Sequence, residues 1–307
     1  GRVRERHAAL FAPLLRVLHW GSLLPAAALP EVEVAGRVLS SALRALLPLL
    51  QAGEPAVQAQ YGRTGEDLFR VLRDLAHEGT IPKELNGAFF RVQPDPQFPP
   101  RLGDDIAFNG DGLITRFHIH DGQVDFCQRW AQTDKWKLEK AAGKALFGAY
   151  RNPLTDDEAV KGEIRGTANT NAFVFGGKLW ALKEDSPGLV MDPATMETHG
   201  YEKFGGKMTG QTFTAHPRVD PETGELFFFG YEAGGLCDPN VAYCIADKDG
   251  KLVKEQWFEQ PYLSTIHDFV ITQKYAIFPI FPTLADLDRL KDGGAHWAHH
   301  QDKPSYI

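Results

Sequence analysis

The chain has 307 residues, enough for one large domain or two ordinary ones with a well-buried core. Its 43% hydrophobic and 24% charged content is that of a soluble globular protein, and a net charge of −7 argues against nucleic acid as a partner, because phosphate-backbone binding relies on dense lysine and arginine. Three cysteines, Cys127, Cys237 and Cys244, show neither the CxxC spacing of a zinc site nor an even disulfide framework. A reducing, cytoplasmic compartment is the simpler expectation.

From Gly1 to Thr80 there is no lysine, and arginines stand in an Ala/Leu-rich background; from Lys83 onward lysine is abundant. This break separates residues 1–77, an Arg/Ala/Leu-rich helical segment, from a main domain over residues 78–307. The opening, GRVRERHAALFAPLLRVLHWGSLLPAAALP, has the outline of a signal peptide, but Arg16 and His19 cut its apolar run far short of the roughly 20 residues that span a bilayer. No membrane span is expected. Because the chain begins with Gly1 instead of Met, it is read as processed, trimmed or a fragment. Helical spacing of Leu39, Leu43, Leu46, Leu47 and Leu50, and of Leu68, Val71, Leu72 and Leu75, predicts two short amphipathic helices over Arg37 to Leu50 and Gly65 to Leu75. Packing is their expected role.

After Ile81 the rhythm becomes β. Leu113 to His118 and Val124 to Trp130 flank HDGQ, and Ala172 to Phe175 and Lys178 to Leu182 flank a Gly-Gly pair. Leu189 to Met191 and Glu197 to Tyr201 bracket DPAT; Gln211 to His216 pairs with Glu225 to Tyr231 across DPETG, Asn240 to Ala246 with Lys251 to Phe258 across DKDG, and Thr265 to Thr272 with Tyr275 to Phe281. Helices are expected only at Lys135 to Phe147 and Leu284 to Leu290. A long antiparallel meander must dispose of its edge strands, and radial repetition into propeller blades does so; a sandwich or barrel is the alternative.

The stretch from Gly210 to Ile271 opens on QTFTAHPRVD and closes on STIHDFVI, placing His216 and His267 beside runs of strand-forming residues. Two imidazoles on neighbouring strand pairs can share a metal, since neutral imidazole suits borderline metals; each taken singly can equally be a hydrogen-bonded core residue.

Longer motifs add to this. EGTIPKELNGAFFRVQPDPQFPP, DDIAFNGDGLITRFHIHDGQVDF, TDKWKLEKAAGKALFGAYRNPLTDDE, TANTNAFVFGGKLWALKEDSP, MTGQTFTAHPRVDP and IHDF occur in order. From about Glu78 onward the chain closely resembles the carotenoid cleavage oxygenase family, and within it the lignostilbene dioxygenases. The resemblance implies a mainly β fold, a seven-bladed propeller with non-haem Fe2+ on its axis held by four histidines. His216 of TAHP and His267 of IHDF match the first two ligand positions. Glu184 of LKEDSP matches an acid that orients a ligand histidine by accepting its distal N–H. Phenol contacts match Tyr150 of FGAYRNP and Lys183 of WALKED, and an aromatic packing position matches Phe108 of IAFNGDG. The implied reaction splits the central C=C of a 4-hydroxystilbene with O2 into two aromatic aldehydes. Lys183 would lower the phenol pKa, Tyr150 would hydrogen-bond the same oxygen, and Phe108 would stack on a ring.

The sequence departs from the family in two places. It ends at Ile307, before the third and fourth histidines, and its leading strand is replaced by the arginine-rich segment. A partial propeller with two iron ligands is therefore expected, one that binds Fe2+ poorly and is impaired or inactive as a stilbene dioxygenase. His296 and His300 in GGAHWAHHQDKP have the i, i+4 spacing of a helical metal pair but do not match the family's ligand motifs, and a polar, histidine-rich loop is the expected reading. Alternative functions are cleavage of an apocarotenoid, for which Lys183 would be dispensable, and a non-catalytic propeller fragment. A homo-oligomeric state stays open.

Overall fold

The computed structural model describes Arg70–Leu72 and residues 78–307. The predicted helix over Arg37 to Leu50 lies outside these residues. Two compact units are distinguished. The smaller contains residues 78–87 and Ile119–Asp125, and within it the HDGQ turn is made by Asp121 and Gly122 at φ 49° and 77° while His120 Nε2 faces Asp125 Oδ2 at 3.2 Å. The larger, built from residues 88–118 and 126–307 with a short piece near Arg70, carries every candidate site residue.

The fold is mainly β. Sixteen strands are described: β1 (Arg70–Leu72), β2 (Gly87–Pro94), β3 (Gly112–His120) and β4 (Gln123–Trp130) form one sheet in the order β1-β4-β3-β2. β5 (Asn171–Phe175), β6 (Lys178–Leu182), β7 (Gly188–Met191) and β8 (Thr198–Glu202) form an antiparallel meander in chain order. So do β9 (Arg218–Val219), β10 (Leu226–Tyr231), β11 (Asn240–Ala246) and β12 (Leu252–Glu259). Two-stranded ladders follow, β13 (Val270–Ile271) with β14 (Ala276–Ile277) and β15 (Thr283–Ala285) with β16 (Trp297–His299). Among the described residues no sheet closes on itself.

Local chemistry explains most of these elements. Gly176 and Gly177, at φ 57° and 71°, supply the two positive dihedrals that a tight two-residue turn needs between β5 and β6. Helix α1 (Asp134–Ala142) starts where the Thr133 side chain accepts the Trp136 N–H and stops at Gly143 in the left-handed conformation. It ends five residues before the predicted Phe147. Helix α2 (Leu287–Lys291) starts behind Asp286, whose carboxylate accepts the Arg289 N–H, so Leu284 and Ala285 belong to a strand instead of the predicted helix.

Three expectations are corrected. Arg70–Leu72, inside the second predicted amphipathic helix, is strand β1, its backbone added to the edge of the first sheet beside β4. Residues 211–216 are not a strand: Gln211 N–H donates to the Ala233 carbonyl and Thr214 N–H to that of Phe229, but the regular ladder with β10 is confined to Arg218 and Val219. The chain bends there because Thr214 Oγ1 takes the His216 N–H that a ladder would use, and Pro217 has no N–H. The last predicted hairpin shrinks to two residues a side, leaving His267 in an irregular segment.

Period-two alternation puts both faces of β6 and β10 in cores. Leu179 and Ala181 face Ile114, Cys127 and Met191, while Trp180 and Leu182 face Phe204, Phe213 and Phe228. On β10, Phe228 joins that second cluster, and Phe229 and Tyr231 pack with Ile266, Phe269 and Ile280. Phe213 stacks on Phe228 with centroids 4.3 Å apart and planes 16° apart, and lies 5.5 Å from Trp180. Gly230 lets the bent segment approach, because a Cβ there would run into the Thr212 backbone. The stacked rings thus hold the segment carrying His216, and Phe213→Ala is expected to cost about 3–5 kcal/mol in urea denaturation. A change under 1 kcal/mol would show that this aromatic stack does not anchor the segment.

Candidate active site

His216 and His267 come together. Their Nε2 atoms are 3.1 Å apart, with ring centroids 4.6 Å apart and planes at 78°. His216 is placed by the Thr214 bend and by Asn171 of β5, whose side-chain amide donates to the Ala215 carbonyl at 2.8 Å. His267 lies between Ile266 and Phe269, both fully buried, and projects outward with 63% of its side chain exposed. Next to each histidine a charged residue reaches across: Arg218 Nη2 donates to both carboxylate oxygens of Asp268, at 2.7 and 2.8 Å.

Glu184, two residues past β6 and buried, accepts a hydrogen bond from His267 Nδ1. A carboxylate only accepts, so a proton sits on Nδ1, and in the neutral ring the Nε2 lone pair is turned toward His216. The bond to Glu184 raises the His267 pKa against the opposing effect of burial, whereas burial, and then the neighbouring His267, lowers that of His216.

The other three predicted residues form a second group. Phe108 sits on a 3-10 turn (Ala107–Asn109) with 65% of its surface exposed, 6.4 Å from the Tyr150 ring and tilted by 59°. Lys183, only 3% exposed, donates to the Phe108 carbonyl at 2.8 Å and lies 4.9 Å over the Tyr150 ring. Burial lowers the Lys183 pKa, opposed by Asp185 and Glu184, and burial pushes the Tyr150 phenol up to about 12 despite Arg151. Because Lys183 and Glu184 are consecutive, one strand end serves both groups.

The family model described as RPE65, retinal pigment epithelial membrane protein, matches residues 66–307. The chain belongs to the carotenoid cleavage oxygenase family. Among its curated relatives, lignostilbene-alpha,beta-dioxygenase isozyme III of Sphingomonas paucimobilis is 54% identical over 234 residues, covering 76% of this chain and 48% of the relative. Resveratrol cleavage oxygenase 1 of Aspergillus fumigatus is 48% identical over 75% of this chain and 46% of its own length. The crystal structure of Pseudomonas brassicacearum lignostilbene dioxygenase superposes with a TM-score of 0.74 at 41% identity, over 80% of this chain and 51% of that one. A cobalt-substituted Synechocystis apocarotenoid oxygenase (ACO) gives 0.67 at 27% identity, over 81% and 54%. This family member therefore spans about half the length of the curated relatives it matches. No helix among its described residues is long and apolar enough to cross a membrane.

A third group was not legible in the sequence. Arg151 Nη2 pairs with Glu232, Arg151 Nη1 donates to the Tyr231 hydroxyl at 3.1 Å, and the His296 ring bridges the two, its Nδ1 2.9 Å from the Arg151 carbonyl and its Nε2 3.1 Å from Glu232. His296 lies on a bend just before β16 with 2% of its surface exposed, so the loop buries it, and no helix pairs it with His300. Arg151 and Glu232 both hold left-handed backbones, φ 52° and 49°, a conformation that ion pairing must pay for. Residues 145 positions apart cannot be paired from periodicity; the only sequence signal is that Arg151 follows Tyr150.

Burial raises the Glu232 pKa, but the Arg151 charge and then His296 overcome it and hold the carboxyl at about 2, against an ordinary 4.5. A depressed carboxylate contributes stability that is complete above pH 4.5 and lost as pH falls toward 2. Acid titration of stability should lose about 3 kcal/mol over that window from this group. Glu232→Gln is expected to be less stable at pH 7 and to show a flatter acid limb; an unchanged slope would contradict the assignment.

Proposed function

We propose that this chain is the N-terminal part of a non-haem Fe2+-dependent oxygenase that cleaves the central C=C of 4-hydroxystilbenes with O2, giving two aromatic aldehydes. The observation that carries the reading is the convergence of His216 and His267 with Glu184 behind His267. Two adjacent ligand nitrogens at about 2.0–2.1 Å from one ion lie about 3 Å apart, which matches the 3.1 Å between the Nε2 atoms. Imidazole suits iron among other metals, and a carboxylate on the distal N–H is the usual support for a metal-binding histidine. His216 and His267 would hold the metal, which when bound supplies the one-electron chemistry that O2 needs to react with an alkene.

The second group supplies substrate recognition. Lys183 offers a buried cation whose placement favours a phenolate, and Tyr150, with its proton retained up to about pH 12, can donate to the same oxygen. A phenolate pushes electron density through its ring into the alkene. Phe108, exposed beside Tyr150, presents a face for the flat substrate. Names of the relatives favour this class, including an isoeugenol monooxygenase of Pseudomonas nitroreducens at 46% identity over 80% of this chain and 50% of that protein. An apocarotenoid has no phenol to meet Lys183. Three four-stranded sheets in succession support a propeller, of which this chain would be one part.

With two imidazoles the isolated chain is expected to bind Fe2+ weakly and to turn over little substrate. Joined to the C-terminal half of its Sphingomonas relative, it should consume O2 and release two aromatic aldehydes from a 4-hydroxystilbene. Neither His216→Ala nor His267→Ala chimeras should do so. Lys183→Ala should cut turnover of phenolic substrates at least tenfold. Aldehyde release that survives loss of His216, or that needs no phenol, would sink the proposal. Glu184→Gln should weaken Co2+ binding roughly 10–100-fold by titration.

A further inference from the structure

Phe108 carries its recognition ring on a turn whose carbonyl is held twice. Lys183 Nζ donates to it at 2.8 Å, and the Asn169 side-chain amide donates to the same oxygen at 2.9 Å and to the Gly110 carbonyl at 2.6 Å. The orientation of the amide follows from its neighbours. Both carbonyls can only accept, and Thr170 Oγ1 donates to Asn169 Oδ1 at 3.1 Å, so the nitrogen faces the turn. Asn169 and Lys183 flank the end of one ladder, where Asn171 pairs with Leu182 and Thr170 N–H donates to the Leu182 carbonyl. Both donors are buried, 6% and 3% exposed.

A carbonyl has two lone pairs, so the Phe108 oxygen takes both donors at once. An ammonium has three N–H donors, so Lys183 can keep this acceptor while another N–H turns to a phenol oxygen. We propose that Asn169 is a positioning residue for phenol recognition: by tying the Phe108 and Gly110 carbonyls together, it fixes the acceptor that aims the Lys183 ammonium at a substrate phenol. No covalent bond changes, and the ammonium stays anchored to the turn while it takes the phenol oxygen. This inference rests on the phenol-binding reading above.

The test is the ratio of dissociation constants for trans-4-methoxystilbene and trans-4-hydroxystilbene, measured by fluorescence titration of the 307-residue chain. The unsubstituted chain should prefer the phenol. Asn169→Ala should reduce that preference about tenfold, the worth of one well-aimed hydrogen bond, and should have no such effect in a Lys183→Ala background. Should Asn169→Ala lose its cooperative thermal transition, Asn169→Ser, whose single short donor does not span both carbonyls, is read in the same way. Equal weakening of both ligands, an unchanged ratio, or the same reduction without Lys183 would each overturn the inference while leaving phenol recognition intact. An unsubstituted chain without preference for the phenol would remove the phenol reading, and the inference with it.

Discussion

The contact between Glu184 and His267 is the one on which the site depends. A carboxylate buried at the end of β6 fixes which imidazole nitrogen carries the proton, and so which nitrogen is left with a lone pair facing His216. Without that acceptor the outward-facing His267 ring would be free to rotate and change tautomer, and two neighbouring imidazoles would simply share a proton. The acid itself is held by the alternation of β6, which sends Trp180 and Leu182 into one core and Leu179 and Ala181 into another. Packing of β6 therefore fixes the acid that sets which His267 nitrogen carries the proton.

The same strand end holds both groups. Lys183 precedes Glu184, so the contact to the Phe108 turn and the contact to His267 start from adjacent residues just past β6. Burial weakens the lysine's hold on its proton, and the adjacent acids Asp185 and Glu184 oppose that effect without cancelling it. Arg151, paired with Glu232 and His296, follows Tyr150 directly and ties it to Tyr231, whose hydroxyl also meets Thr265 two residues before His267.

Much of this was legible in the sequence, for physical reasons that differ by residue. β5–β6 and β11–β12 were readable because Gly-Gly and DKDG have few conformations available and period-two patterns flank them. The segments bearing His216 and His267 were misread as strands: their β-branched and aromatic residues do pack beside β10, but Thr214 and Pro217 divert the backbone bonds. The helix expected around Arg70 lost to sheet pairing, a tertiary effect outside its own window. His216, His267, Glu184, Lys183, Tyr150 and Phe108 were found through family likeness, and the structure gathers them into two groups. The pairing of Arg151, Glu232 and His296 could not be read locally, since the three lie far apart in the chain and meet only in the fold.

Anomalous diffraction at the iron edge, from crystals of the chain grown with Fe2+ under anaerobic conditions, tests the central claim most directly. The account predicts a single strong peak within bonding distance of Nε2 of both His216 and His267, with Glu184 still on His267 Nδ1. A peak elsewhere, or imidazoles that keep their direct contact while iron binds at another place, would contradict it.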